Sequence, residues 1–169
     1  HPTNAVDAFL DFRLHHYSKL TDSPCARNEL GYARMQSLET RINGPLAVIG
    51  DVHGQTDKLL AVLEKLRTLP DYDSRWIVFI GDLVDRGPDS KGTMDIVCDL
   101  LIEHQRTTVV AGNHDLAMAA ALGLIPTPDY SNWSERWLDH YDSESTFDSY
   151  GVEFGDLSGL VDQLPKSHQ

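Results

Sequence analysis

Short apolar runs alternate with longer amphipathic stretches through the middle of the chain. Leu46–Ile49 is closed by Gly50, the largely apolar run Arg75–Ile80 by Gly81, and Thr107–Ala111 by Gly112. Short apolar runs bounded by glycine predict buried strands. Between them, Thr56–Thr68 sets Leu59, Val62, Leu63 and Leu66 on one helical face, with Thr56 as the expected N-cap. Pro88–His104 predicts a second helix, its proline in the tolerated first turn and Met94, Val97, Cys98 and Leu101 on its apolar face. His114–Leu122 predicts a third. The order is βαβαβα, and the three closing glycines are 31 residues apart each time, about the length of a βαβ unit. Such units build a parallel sheet that collects ligands at the carboxyl ends of its strands.

The flanks are less regular. Asn4–Leu20 and Asn28–Thr40 predict two helices, and Asn43-Gly44-Pro45 a turn. Residues 1–44 therefore read as an N-terminal helical extension and 45–169 as the main domain. Residues 127–156 are rich in Asp, Ser, Tyr and Trp; Trp133–Tyr141 and Gly155–Leu164 are expected to be short helices. Tyr130, Trp133, Trp137, Tyr141 and Tyr150 suit either a lid over a site or aromatic packing on the sheet, and packing is the favoured expectation.

Composition narrows the function. A hydrophobic fraction of 41% and a charged fraction of 24% are ordinary for a globular domain. A formal net charge of −12 argues against nucleic acid as a partner, because a binder needs a basic face. The same charge repels phosphate unless cations sit in the site. No apolar run is long enough to span a membrane, so the expected location is the cytoplasm. Cys25 and Cys98 offer neither a disulfide framework nor zinc spacing, and Cys98 is expected to be a buried thiol.

The chemistry lies at the strand tips. Gly50-Asp51, Gly81-Asp82 and Gly112-Asn113 each put a metal-competent residue directly after a glycine, and His53 and His114 follow close behind. Three parallel strands would bring Asp51, His53, Asp82 and Asn113 to one sheet edge. Carboxylate and amide oxygens with an imidazole suit Mn, Fe or Zn better than Ca. Asp82, on the middle strand, is the natural bridge between two ions.

Taken together, Gly50-Asp51-Val52-His53-Gly54, Gly81-Asp82-Leu83-Val84-Asp85-Arg86-Gly87 and Gly112-Asn113-His114-Asp115 resemble the phosphoprotein phosphatase branch of the calcineurin-like metallophosphoesterases. The closing Asp115, where many eukaryotic members have Glu, is similar to bacterial members and to symmetrical dinucleoside-tetraphosphate hydrolases. The resemblance implies a four-layer α/β/β/α sandwich, of which the βαβαβα half is present here, with residues 45–169 as the N-terminal part of the catalytic domain. It implies two metal ions, manganese first and iron or zinc as alternatives, held by Asp51, His53, Asp82 and Asn113. Arg86, Asn113 and His114 would meet the phosphate. His114 would be the general acid, Asp85 would orient it, and a hydroxide activated by both metals would attack phosphorus in line. Asp115 is open between a helix-terminal charge and a catalytic task. As structural alternatives, Arg86 could pair with Asp82 or Asp85, and Asp85 could cap the second helix. Gly54 and Gly87 are read as backbone requirements.

Relatives complete the second metal site with two later histidines and add a further arginine. His1, His15, His16, His104, His140 and His168 do not supply that pattern, so the chain is expected to be the N-terminal part of a longer protein. His104 is expected to be solvated at a helix end, and His168 to be a helical residue and not a ligand. The first expected function is hydrolysis of phosphoserine or phosphothreonine in proteins. Cleavage of dinucleoside tetraphosphates is the alternative, and a non-catalytic metal- or phosphate-binding module the third possibility.

Overall fold

The computed structural model describes residues 42–128 and 130–169, and the two helices expected before residue 42 lie outside them. Strand β1 (Leu46–Ile49) leads to helix α1 (Thr56–Arg67), a short 3-10 turn (Tyr72–Ser74), β2 (Trp76–Phe79), α2 (Ser90–Glu103) and β3 (Thr107–Val109). Helices α3 (Asn113–Ala121), α4 (Trp133–His140), α5 (Glu144–Tyr150) and α6 (Leu157–Gln163) follow, and a 3-10 turn (Lys166–His168) ends the described chain. The sheet is parallel in the order β1-β2-β3. Ile49, Phe79 and Val109 stand side by side in register, so the residues after them emerge at one edge. This is the α/β architecture expected from the pattern, with β2 ending one residue and β3 two residues earlier than the apolar runs suggest.

Two cores hold it together. One face of the sheet packs under α1 and α2, where Leu59, Leu63, Ile77, Phe79, Val97 and Leu100 are buried. The other sheet face carries Leu46, Val48, Ile80 and Val110, each about half exposed. The second core is helical: Ala117 and Ala121 of α3 present small side chains against which α4 closes, with Trp137, Phe147 and Leu160 fully buried between them. An amphipathic segment gains most of its stability from such packing.

Several local expectations change. Thr56 is the first residue of α1 and not its cap; its hydroxyl donates to the Asp89 carbonyl at 3.0 Å and to Asp89 Oδ2 at 3.1 Å, tying α1 to the start of α2. Helix α2 begins at Ser90, which leaves Pro88 outside its first turn, and Asp89 caps it by accepting from the Gly92 amide, so Asp85 does not have that task. Its buried stripe is Thr93, Val97 and Leu100, one step round from the predicted face, and Leu101 is exposed. Val62 is likewise exposed on α1. Cys98 is only half-buried, its Sγ donating to the Ser167 carbonyl at 3.2 Å. His104 is buried and not solvated: its ring nitrogens meet Thr107 Oγ1 and the Tyr72 carbonyl, each at 3.1 Å. Thr107 is local, but Tyr72 is brought in by the fold, which explains why the helix-end position misleads.

Candidate functional site

The loops after the three strands are knitted by backbone groups. The amides of Val52 and His53 both donate to the Asp82 carbonyl, at 3.0 and 2.9 Å, and the Gly54 amide to the Leu83 carbonyl at 2.9 Å. The approach is too close for side chains. A Cβ on Gly81 would lie 2.0 Å from the Gly112 nitrogen, and one on Gly87 1.8 Å from the His53 carbonyl oxygen. Gly81 also takes φ +97°, which glycine alone adopts without strain. His53, Asp82, Asp85 and Arg86 have φ between 46° and 70°, a left-handed conformation that costs non-glycine residues energy and gathers at functional sites.

This weave brings Asp51, His53 and Asp82 together, one donor atom from each lying within 4.8 Å of the others. His53 Nδ1 is 2.7 Å from the Val84 carbonyl oxygen. A carbonyl only accepts, so Nδ1 carries the proton and Nε2 keeps its lone pair. Arg86 Nη1 donates to that lone pair at 3.1 Å. A cationic group therefore already occupies the position toward which the imidazole offers electrons. Arg86 is exposed and forms no ion pair with Asp82 or Asp85, the structural alternatives for it. Two carboxylates and an imidazole lone pair within one coordination shell fit Mn, Fe or Zn. Asp82 Oδ1 accepts from the His114 amide at 2.9 Å and lies against Gly112, so Asn113, exposed at the start of α3, is flanked by two residues that touch the Asp82 carboxylate.

Asp115 has a structural role in this weave, including the cap of α3. Its carboxylate accepts from the backbone amides of Asp82 at 2.8 Å, Leu83 at 2.9 Å and Gly112 at 2.8 Å. It fixes the second loop against the third, which is more than a helix-terminal charge.

Behind this open cluster lies a closed one. Asp85 is fully buried. Its Oδ2 receives His114 Nδ1 and Trp137 Nε1, each at 2.9 Å, and its Oδ1 receives the Thr146 hydroxyl at 2.7 Å. The Thr146 oxygen in turn accepts from the Asp85 amide at 3.0 Å and lies 3.0 Å from Ser90 Oγ. Burial pushes the Asp85 carboxyl above the usual carboxylate range, against the opposing pull of the hydrogen bonds from Thr146, Trp137 and His114. The His114 ring meets His53 edge-on, centroids 4.5 Å apart, and Tyr141 edge-on at 4.9 Å. The Asp51, His53 and Asp82 cluster and the residues around His114 thus adjoin one another.

The aromatic segment is mostly packing. Trp137 and Tyr150 are buried, Trp133 and Tyr141 half-buried, and only Tyr130 is largely exposed. Its polar tips were not legible in advance: spacing of Trp133, Trp137 and Tyr141 at four residues marks a buried helix face, but not the carboxylate that Trp137 reaches. His168 belongs to a separate buried contact, with Tyr150 Oη 2.9 Å from its Nδ1 and Asp95 Oδ1 3.1 Å from its Nε2. A cavity of about 220 Å³ opens beside Asp51, with Ile49, Val52, Leu59 and Val62 as apolar wall and Gln55 and Lys58 as its polar side.

Comparison with known proteins points the same way. The profile of the calcineurin-like phosphoesterases matches residues 44–166. A symmetrical bis(5'-nucleosyl)-tetraphosphatase of Salmonella paratyphi A is 41% identical over 78 residues, 46% of this chain and 26% of that protein. One of Photobacterium profundum is 38% identical over 96 residues, 57% of this chain and 33% of its own length. The match thus spans between a quarter and a third of these relatives.

Proposed function

Since the chain belongs to the calcineurin-like phosphoesterases, we propose that it is a two-metal phosphoester and phosphoanhydride hydrolase whose substrates are dinucleoside polyphosphates. One observation carries the catalytic part: a buried Asp85–His114 pair stands directly behind the Asp51, His53 and Asp82 cluster. A module that only binds a metal has no use for a shielded carboxylate–imidazole pair.

Asp51, His53, Asp82 and Asn113 would hold the ions, manganese first. When bound, the ions supply Lewis acidity and an activated water, and they reverse the repulsion that a net charge of −12 imposes on phosphate. Arg86, exposed and planar, leaves His53 Nε2 to clamp phosphate oxygens. With Nδ1–H committed to an acceptor-only carboxylate, His114 has Nε2 for the proton that the leaving oxygen takes up. Asp85 holds the ring in that tautomer and stabilises its charged form.

The choice of substrate rests on the relatives. Both tetraphosphatases share about two fifths of their residues with this chain over the aligned stretches, 41% over 78 residues and 38% over 96, and Asn113-His114-Asp115 has the closing aspartate that the motif resemblance associates with such enzymes. They favour the dinucleotide reading over the phosphoprotein reading, which remains the rival. Symmetrical cleavage of diadenosine tetraphosphate would yield two molecules of ADP. The test is a competition assay in which the intact protein with Mn²⁺ receives diadenosine tetraphosphate and a phosphoserine peptide together. Faster turnover of the nucleotide is expected. Preference for the peptide would restore the phosphoprotein reading, and turnover of neither would leave a binding module.

A further inference from the structure

Helices α4 and α5 contribute no metal-ligand candidate, yet each sends one polar atom to the same buried carboxylate. Trp137 of α4 and Thr146 of α5 are both fully buried, 52 and 61 residues from Asp85 in sequence. An indole N–H only donates, and a threonine hydroxyl placed 2.7 Å from Oδ1 donates as well. One carboxylate oxygen is held by Thr146 and the other by Trp137, so the plane of the carboxylate is fixed at both ends. His114 Nδ1 bonds to the oxygen that Trp137 holds. Fixing that plane fixes the direction from which the imidazole can bond, and therefore where its Nε2 points.

The same segment also meets the loop after Asp85 and the start of α2. The Arg86 amide donates to the carbonyl of Asp142, which joins α4 to α5, at 3.1 Å. The Lys91 amide donates to Ser149 Oγ of α5 at 3.1 Å. Packing alone would not require these polar tips. Trp137 already stacks on Phe147, centroids 5.3 Å apart, and a phenylalanine at 137 would keep an aromatic ring there.

We propose that Trp137 and Thr146 are positioning residues for His114, acting through Asp85, and that they set how well the enzyme expels poor leaving groups. The proposal rests on the reading of His114 as general acid. A phenoxide needs protonation as it leaves, whereas the far more stable p-nitrophenoxide needs little. A misdirected acid therefore slows phenyl phosphate and spares p-nitrophenyl phosphate, while general damage to the fold slows both.

The experiment compares the intact protein with Mn²⁺ against Trp137→Phe, Thr146→Val, Thr146→Ser and His114→Asn, on phenyl phosphate and on p-nitrophenyl phosphate, with bound manganese measured for each. Trp137→Phe and Thr146→Val are expected to lose about 10–100-fold in kcat on phenyl phosphate, the usual cost of losing a group that orients a functional residue. Their kcat on p-nitrophenyl phosphate, KM and manganese content stay near wild type. Thr146→Ser, which keeps the hydroxyl, recovers most of the loss. In a His114→Asn background, Trp137→Phe adds no further loss.

Proton NMR gives a readout independent of turnover. The hydrogen-bonded His114 Nδ1–H, assigned by its loss in His114→Asn, is expected to shift and exchange faster in Trp137→Phe and Thr146→Val. Equal losses on both substrates, additivity with His114→Asn, or an unchanged Nδ1–H resonance in both variants would overturn the proposal. If His114→Asn itself fails to discriminate the two substrates, the general-acid reading falls, and this proposal with it. If His114→Asn discriminates and the two clamp variants do not, only the clamp is wrong.

Discussion

The Asp51, His53 and Asp82 cluster lies at the sheet edge, open or half-open to water, whereas Asp85, three residues beyond Asp82, is completely buried. One loop thus presents carboxylates to two environments. In the open one, carboxylates remain hydrated until an ion displaces the water, which suits exchangeable metals. In the closed one, a carboxylate without partners would cost several kcal/mol; here three side-chain donors from α3, α4 and α5 compensate. On the function proposed above, the open cluster would bind and the closed one would orient. The sheet core would then place the proposed ligands, and the helical core would hold the proposed acid.

The largest effect should come from the open side. Asp82→Asn keeps an oxygen to accept from the His114 amide, so the fold should survive. Activity should nonetheless fall about 10³-fold, in line with the several kcal/mol that a Lewis-acid metal supplies. Elemental analysis should show manganese per chain falling with it. The matching change on the closed side is Asp85→Asn. It is expected to cost about 10²–10⁴-fold in kcat on phenyl phosphate, the range of general acid catalysis, with manganese content unchanged. If Asp85→Asn strips the metal as Asp82→Asn does, the two environments are not separate in function.

Asp115 joins the two sides. Asp115→Ala leaves three amides without their acceptor and should weaken manganese binding about 10–100-fold, as loss of supporting groups around a metal site does. Calorimetric titration with Mn²⁺ reads this directly. An unchanged affinity would return Asp115 to the role of a helix-terminal charge.

The smallest expected effect lies at the far end of the helical core. Burial holds the His168 imidazole below the ordinary histidine range, outweighing the Asp95 carboxylate that favours its charged form. A depressed folded value means that the neutral ring is the one the fold prefers. Its contribution is present above the unfolded histidine value, about pH 6.5, and is lost as pH falls through the lower folded value. The melting temperature should therefore decline slightly below that pH, and His168→Gln should flatten the decline.

The difference between the regions also explains what the sequence made legible. The strands, the helices between them and the metal-competent tips follow from local rules, apolar runs closed by glycine and amphipathic periodicity, so Asp51, His53 and Asp82 converge as expected. The motif resemblance supplied the Asp85–His114 pair. Neither route reaches the partners of that pair, because Trp137 and Thr146 are set against Asp85 by tertiary packing across 52 and 61 residues. His104 was misread for the same reason, its partner Tyr72 lying 32 residues away. Among the described residues no helix is long and apolar enough to cross a membrane, in keeping with the absence of such a run in the sequence.

Whether the strand tips hold metal is the point on which everything else depends. Crystals of the intact protein grown with Mn²⁺ and measured at the manganese absorption edge address it. Anomalous density is expected within bonding distance of Asp51, His53 and Asp82, with Arg86 withdrawn from His53 Nε2. Manganese bound elsewhere, in a protein that remains active, would contradict the account.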